Sequence, residues 1–169
     1  SKRNLCVSRL WVVNASPIIS LAKIQKTYLL SRLCQKFIIP AGVAEEVCAG
    51  EAIDPARQWI DSEGYQFIYK ALVIDPLIES WDLGRGESEV LSFAMHNPGY
   101  EAIIDDRLAR TCANSFKISV RGTIGIILLG KKSGEIRSVR EVLKELNESG
   151  LRLDDQLISK ALELGGELE

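Results

Sequence analysis

Short apolar runs alternate along this chain with longer segments in which apolar residues recur at helical spacing. Residues 10–13, 37–39 and 102–104 are apolar runs of strand length, and residues 66–73 and 117–120 have weaker strand character. A helical pattern follows each run. This order predicts an α/β fold, a three-layer α/β/α sandwich in which helices cover both faces of a central parallel sheet.

Capping residues and glycines mark the ends of the helices. Ser16 followed by Pro17 predicts a helix N-cap, Asp54 before a proline repeats that signal, and Gly50 and Gly64 predict helix ends. The predicted helices span about residues 17–24, 28–34, 40–49, 55–63, 86–96, 106–116, 123–132, 139–148 and 155–164. In the last helix, Leu157, Ala161 and Leu164 recur at helical spacing and predict a docking stripe.

A chain of 169 residues suits one compact domain. We therefore predict a single domain over residues 1–169, with C-terminal helices at about 139–165 packed on it. No apolar stretch is long enough to span a bilayer, and the first residues show no signal-peptide pattern. We expect a cytoplasmic protein with no membrane partner.

The cysteines are widely separated and form no metal-binding pair. Cys6, Cys34, Cys48 and Cys112 lack Cys-x-x-Cys spacing, and His96 is the lone histidine. We expect neither a zinc site nor a disulfide framework, and interpret these thiols as small buried hydrophobes of a reducing compartment.

The net charge of −2 hides a basic block in the second half of the chain. Its members are Arg107, Arg110, Lys117, Arg121, Lys131, Lys132, Arg137, Arg140 and Lys144, opposed only by Glu135 and Glu141. Such a block could bind a nucleic-acid backbone, with Arg107, Arg110 and Arg121 as the candidates nearest the acidic residues described next. The alternative is a set of solvated helix faces.

Polar residues follow two of the predicted strands. Asn14 comes after the first, and Asp105 and Asp106 come after residues 102–104. Ligands of open parallel sheets bind beyond the carboxyl ends of the strands, and adjacent acids there favour Mg²⁺ or Mn²⁺ as a counter-ion. The alternative makes Asp106 a helix N-cap and Asp105 a turn residue.

Helical phase selects two further acids. Glu46 lies toward the apolar face of its helix and Glu45 away from it, so we expect Glu46 in the cleft and Glu45 in solvent. By the same geometry Glu87 lies on the apolar face of residues 86–96, and Glu89 lies opposite. The alternative is that each glutamate simply pairs with a nearby arginine.

Five segments, taken together, resemble motifs of the PIN domain family. They are residues 12–19 (VVNASPII), 39–50 (IPAGVAEEVCAG), 84–89 (GRGESE), 104–110 (IDDRLAR) and 122–126 (GTIGI). The pattern is most similar to the VapC-like branch of uncharacterised predicted nucleic-acid-binding proteins. Residues 150–167 also resemble the C-terminal helix of that branch, so the resemblance covers about residues 9–167.

The resemblance implies a flavodoxin-like parallel sheet and RNase activity that depends on Mg²⁺ or Mn²⁺. For toxin members it also implies a small antitoxin partner, and homodimers are common. Carried over by position, the resemblance implies catalytic Asn14, Glu46, Glu87, Asp105 and Asp106, the last four as metal ligands, with Ser16 and Thr123 as supporting hydroxyls.

Asn14 departs from the family pattern, which usually has aspartate at this position. An amide can still offer its oxygen to a metal, but it removes one negative charge and cannot accept a proton. Two functions therefore stay open: a metal-dependent endoribonuclease, or a weak or inactive module that binds RNA or a protein partner. A nucleotide-binding or receiver domain is disfavoured, because phosphate-loop and dinucleotide fingerprints are missing.

Overall fold

The computed structural model describes residues 8–168, and they form a three-layer α/β/α fold around a parallel sheet. The strands are β1 (Leu10–Val13), β2 (Lys36–Pro40), β3 (Ile68–Tyr69), β4 (Tyr100–Ile103) and β5 (Val120–Arg121). Their order across the sheet is β3-β2-β1-β4-β5, and every pairing is parallel. The α/β/α sandwich predicted from the sequence is confirmed.

Ten α-helices lie among the described residues. They are α1 (Ala15–Lys23), α2 (Tyr28–Leu33), α3 (Ala41–Cys48), α4 (Pro55–Ser62), α5 (Pro76–Glu79), α6 (Arg85–His96), α7 (Arg107–Ser115), α8 (Thr123–Ser133), α9 (Val139–Glu148) and α10 (Asp155–Leu164). Helix α6 contacts β1, β2 and β4 together with α3, α5 and α7. None of these helices is long and apolar enough to cross a bilayer.

The central strands are buried on both faces, which explains their continuous apolar runs. Trp11, Val12 and Val13 of β1 are fully buried, as are Ala102 and Ile103 of the neighbouring β4. Helices cover both sides of such a sheet, so its strands cannot show a polar alternate position. One hydrophobic core then extends from these strands to the C-terminal helices.

Two of the predicted strands are shorter than the sequence indicates. In residues 66–73 only Ile68–Tyr69 pairs with β2, because Gly64–Phe67 forms a 3₁₀ helix in which Phe67 packs on Phe37 at a ring-centroid distance of 4.1 Å. In residues 117–120 the ladder begins only near its end, since Lys117 has a φ of 56° and terminates α7.

The start of the first helix also differs from the expectation. Ser16 lies inside α1, and the N-cap residue is Asn14, whose φ of −84° and ψ of 169° continue the extended backbone of β1. The carboxamide of Asn14 makes no capping hydrogen bond. A residue in the usual capping position therefore keeps its side chain free for other contacts.

The predicted docking stripe on α10 is wrong in phase. Ala161 and Leu162 are buried, with Ile158 half-buried beside them, whereas Leu157 and Leu164 are exposed. Helix α10 packs on α8 and α9, so the face that meets these two helices decides which positions are covered.

The three cysteines within residues 8–168 are free thiols. Cys34 and Cys112 are buried and Cys48 is half-buried, while Cys6 lies outside the described residues. Burial raises the pKa of Cys34 to about 12. These three thiols therefore behave as small apolar side chains, as the sequence indicates.

Candidate functional site

The polar residues that follow β1 and β4 meet at one edge of the sheet. The backbone N–H of Asn14 donates to the carbonyl of Ile103 at 3.0 Å, which ties the end of β1 to the end of β4. From β1 the chain continues toward β2 on one side, and from β4 toward β5 on the other. Such a switch point opens a crevice at the carboxyl ends of parallel strands.

Asn14 is buried in this crevice, with 1% of its surface exposed. Its Nδ2 donates to Glu87 Oε1 at 3.5 Å, a long contact. Its Oδ1 is buried and has no hydrogen-bond partner among residues 8–168. A buried carbonyl oxygen without a partner costs about 1–3 kcal/mol, so this oxygen is poised to accept a donor or bind a cation.

Glu46 and Glu87 approach the same point from α3 and α6. A methyl group added at Gly86 would lie 3.2 Å from Glu46 Oε2 and 3.3 Å from Asn14 Oδ1. These two oxygens therefore converge over a glycine that leaves room for them. Partial burial and the charge of Glu87 both raise the pKa of Glu46, because the ionised form is disfavoured there.

Asp105 anchors a second polar cluster beside the first. Its Oδ1 accepts from the backbone N–H of Thr123 at 2.8 Å, and its Oδ2 accepts from the Thr123 hydroxyl at 2.6 Å and from Ser16 Oγ at 3.3 Å. These bonds connect β4 with the first turns of α1 and α8. The two hydroxyls inferred from the family resemblance thus both contact Asp105.

Asp106 occupies a different environment from Asp105. It is the N-cap of α7, and its Oδ2 accepts from the backbone N–H of Ala109 at 2.8 Å. Its side chain is exposed and does not line the cavity described next. Asp106 is thus a helix N-cap, which is the alternative that the sequence leaves open for this residue.

A cavity of about 280 Å³ lies between Asn14, Glu46 and Glu87. Ser16 also lines it, so this hydroxyl links the cavity to Asp105. Its remaining walls come from Ala15, Ile19, Ser20, Lys23, Ser149, Gly150 and Leu151. The sequence analysis missed these residues, and only the helical spacing of Ser20 and Lys23 from Ser16 could have indicated two of them.

The expected outward position of Glu89 is wrong. Glu89 is 5% exposed, accepts from the backbone N–H of Gly42 at 3.3 Å, and pairs with Arg85 Nε at 3.2 Å. Arg85 also pairs with the exposed Glu45. Helix α6 is covered on several sides, so a single inward face does not describe it, and Glu89 joins α6 to α3.

The three candidate nucleic-acid contacts differ in availability. Arg107 is exposed at the start of α7. Arg110 lines a groove of about 580 Å³ together with Asp105. Arg121 is engaged by Glu101, at 2.8 Å between Nε and Oε1, and the same oxygen accepts from Trp11 Nε1 at 3.0 Å.

The donor set of the cavity fits a hard divalent cation. Among residues 8–168, no group of three or more His, Cys, Asp or Glu side chains is already gathered as a metal site. The cavity instead offers two carboxylates of like charge and the unpartnered oxygen of Asn14. Magnesium and manganese prefer such oxygen ligands and retain several waters, so few protein ligands suffice.

Comparison with known families gives a match that spans nearly the whole described chain. The family model described as the PIN domain matches residues 10–167. A search of curated proteins finds no significant match.

Proposed function

The chain belongs to the PIN domain family, and we propose that it is an endoribonuclease that depends on Mg²⁺ or Mn²⁺. A nuclease-type fold and a cleft that contains acidic residues agree with this activity. In the toxin form of the proposal, the protein is the toxin of a toxin–antitoxin pair. A cytoplasmic location, a homodimer and a VapC-like ancestry belong to the same proposal.

The observation that carries the proposal is the unpartnered Oδ1 of Asn14. It is buried beside Glu46 and Glu87, and two acids at a buried amide oxygen are unfavourable unless a positive charge joins them. Asn14, Glu46 and Glu87 would hold a divalent cation. Asp105 completes the acidic set beyond Ser16, and we favour it over Asp106, whose Oδ2 caps α7.

A bound divalent cation supplies an activated water and neutralises charge on a phosphodiester. The residues of this chain would position the cation and the RNA. Glu46 and Glu87 would hold the cation and orient its water from α3 and α6, and the Asn14 oxygen would hold the cation at the inner wall of the cavity. Asp105 orients Ser16 and Thr123 through its three hydrogen bonds, which holds α1 and α8 at the rim of the cleft. Arg107 and Arg110 would contact the RNA backbone.

The direct test is RNA cleavage with Mn²⁺ by the wild type, Glu87→Gln and Asp105→Asn. We expect Glu87→Gln to lose at least about 100-fold in rate, because it removes a charged ligand. Asp105→Asn should lose about 10-fold or more, because the amide keeps one acceptor oxygen for the Thr123 N–H but removes the second acceptor and one negative charge from the acidic set. Glu45→Gln, next to Glu46 but outside the cavity, is the matched control. Equal rates in all four proteins would refute the proposal.

Asn14 favours a second candidate function, a weak or inactive PIN-like module that binds RNA or a protein partner. An amide in place of a carboxylate leaves the cavity with two acids. The variant Asn14→Asp separates the candidates. Activity that appears only in this variant, with Mn²⁺ binding much tighter than in the wild type by calorimetry, would identify the natural protein as a degenerate enzyme.

A further inference from the structure

Two lysines near the end of α1 have different surroundings. Lys26 pairs with Glu145 of α9, with Nζ and Oε2 3.8 Å apart. Lys23, the last residue of α1, is exposed and lines the acidic cavity with Glu46 and Glu87. Within residues 8–168, Lys23 has no acidic group within 4 Å. It is therefore a free positive charge in the wall of an acidic cleft.

Lys23 belongs to a polar stripe on α1. Ser16, Ser20 and Lys23 are separated by four and three residues, which places them on one face of the helix. All three line the cavity. Ser16 donates to Asp105 at the inner end of the stripe, and Lys23 stands at the outer end. The stripe thus leads from the acidic residues toward the mouth of the cleft.

The negative charge of the cleft indicates a binding role for Lys23. A phosphodiester chain that enters this cavity meets the carboxylates of Glu46 and Glu87, which repel it. Lys23 is the cationic residue of the same lining. We propose that Lys23 binds a backbone phosphate of single-stranded RNA as it enters the cleft. The choice of RNA as ligand rests on the proposed function.

A lysine at a helix C-terminus can also serve the fold alone, by its attraction to the helix dipole. That role predicts a small effect on stability and none on ligand binding. The phosphate-binding role predicts weaker RNA binding when Lys23 is replaced, with little change in stability. The neighbouring Lys26 has a carboxylate partner that supplies its structural role, whereas Lys23 has none within ion-pair distance among the described residues.

The test is binding of a fluorescent single-stranded RNA oligonucleotide of about 12 nucleotides, measured by anisotropy in EDTA at several salt concentrations. In EDTA the protein cannot cleave through a metal, so binding is read by itself. Lys23→Gln should bind about 3- to 10-fold more weakly, and the slope of log K against log salt should fall by about 0.7. Lys23→Arg should retain both. Lys70→Gln, an exposed lysine outside the cavity, is the matched control.

Lys23→Gln binding with wild-type affinity and salt slope would overturn the assignment, as would an equal loss in Lys70→Gln or a wild type that binds no RNA. Thermal unfolding of Lys23→Gln within about 1 °C of wild type would confirm that the fold is intact. If Lys23→Gln is less stable than that, the comparison of Lys23→Arg with wild type still tests whether a positive charge at this position suffices for RNA binding. A wild type that binds RNA through Lys23 but does not cleave it with Mn²⁺ would defeat the proposed nuclease and leave the Lys23 contact standing.

Discussion

Asn14 shows how one side chain adjusts the charge of a cleft. Its Nδ2 donates to Glu87 at 3.5 Å, so the amide relieves part of the repulsion between Glu87 and Glu46. An aspartate there would add a third negative charge and could not donate. We therefore expect the amide to stabilise the metal-free protein relative to an aspartate, and to lower the affinity for the proposed cation.

The repulsion between Glu46 and Glu87 changes with pH through the ionisation of Glu46. Its pKa is raised by burial and by Glu87, so its ionised form costs stability above its pKa in the folded protein, and this cost disappears below about pH 4.5. We expect Glu46→Gln in EDTA to unfold at a slightly higher temperature than wild type at pH 7–8, with the difference shrinking toward pH 4. Because Glu46 is exposed in part, the gain should stay below about 1 kcal/mol.

Thermal melts across this pH range check the expectation for Glu46. Glu45→Gln serves as control, since Glu45 is exposed and pairs with Arg85 outside the cavity. A Glu46→Gln protein less stable than wild type at pH 8, or a difference that grows toward pH 4, would contradict the repulsion between Glu46 and Glu87.

At the scale of elements, one residue of the C-terminal tail fastens the helices behind the site. The carboxylate of Glu167 accepts from the backbone N–H groups of Val139 and Arg140 at the start of α9, at 2.5 and 3.2 Å, and from Lys131 at 3.1 Å. It thus caps α9 and joins it to α8. Helix α9 in turn ends at Glu148, and the following residues 149–151 form one wall of the cavity.

This arrangement predicts a stability that depends on acid. Burial acts to raise the pKa of Glu167, but hydrogen bonds from Val139, Arg140, Lys131 and Ser138 outweigh it and lower the pKa to about 2. A depressed pKa gives stability that is present above about pH 4.5 and lost as the pH falls toward 2. We expect Glu167→Gln to destabilise the protein by about 1–3 kcal/mol at pH 7.

Denaturant unfolding of wild type and Glu167→Gln at pH 7 and pH 3 measures this effect, and the two curves should approach each other at the lower pH. Glu163→Gln is a suitable control, because Glu163 lies on α10 and its carboxylate makes an exposed contact with Lys160 at 3.8 Å. A Glu167→Gln loss that stays constant with pH would show that packing, not the ionised carboxylate, fastens the tail.

At the scale of the whole molecule, the proposed cation at Asn14, Glu46 and Glu87 would couple binding to folding. The cavity draws Asn14, Glu46 and Glu87 from three separate elements, which come together only in the folded chain. A ligand that binds only this state raises stability by about 2.7 kcal/mol at a concentration 100-fold above its dissociation constant. For a chain of this size, that corresponds to a rise in Tm of roughly 5–10 °C.

We therefore expect saturating Mn²⁺ to raise the Tm of the wild type by several degrees, and that of Glu87→Gln much less. Glu45→Gln should shift as the wild type does, since Glu45 lies outside the cavity. Differential scanning calorimetry with and without EDTA provides the measurement. A shift of the same size in Glu87→Gln would place the stabilising ion elsewhere.

Much of this fold is encoded locally. The apolar runs at residues 10–13, 37–39 and 102–104 became β1, β2 and β4, because strands buried on both faces need apolar residues at every position. Asn14 and Asp105 could be assigned to one edge from the sequence, since parallel strands bring their carboxyl ends together.

Tertiary contacts decided the remainder. Periodicity describes one buried face, but α6 packs against several neighbours, which buries Glu89 as well as the apolar positions. The surroundings of the two aspartates depend on which backbone N–H group lies nearby. Asp105 accepts from the N–H of Thr123, and Asp106 accepts from the N–H of Ala109. The cavity walls at Lys23 and Ser149–Leu151 come from segments about 125 residues apart, and only the packing of α9 near α1 brings them together. Local sequence thus determined the elements and the acids, whereas long-range packing determined which of those acids share a cavity.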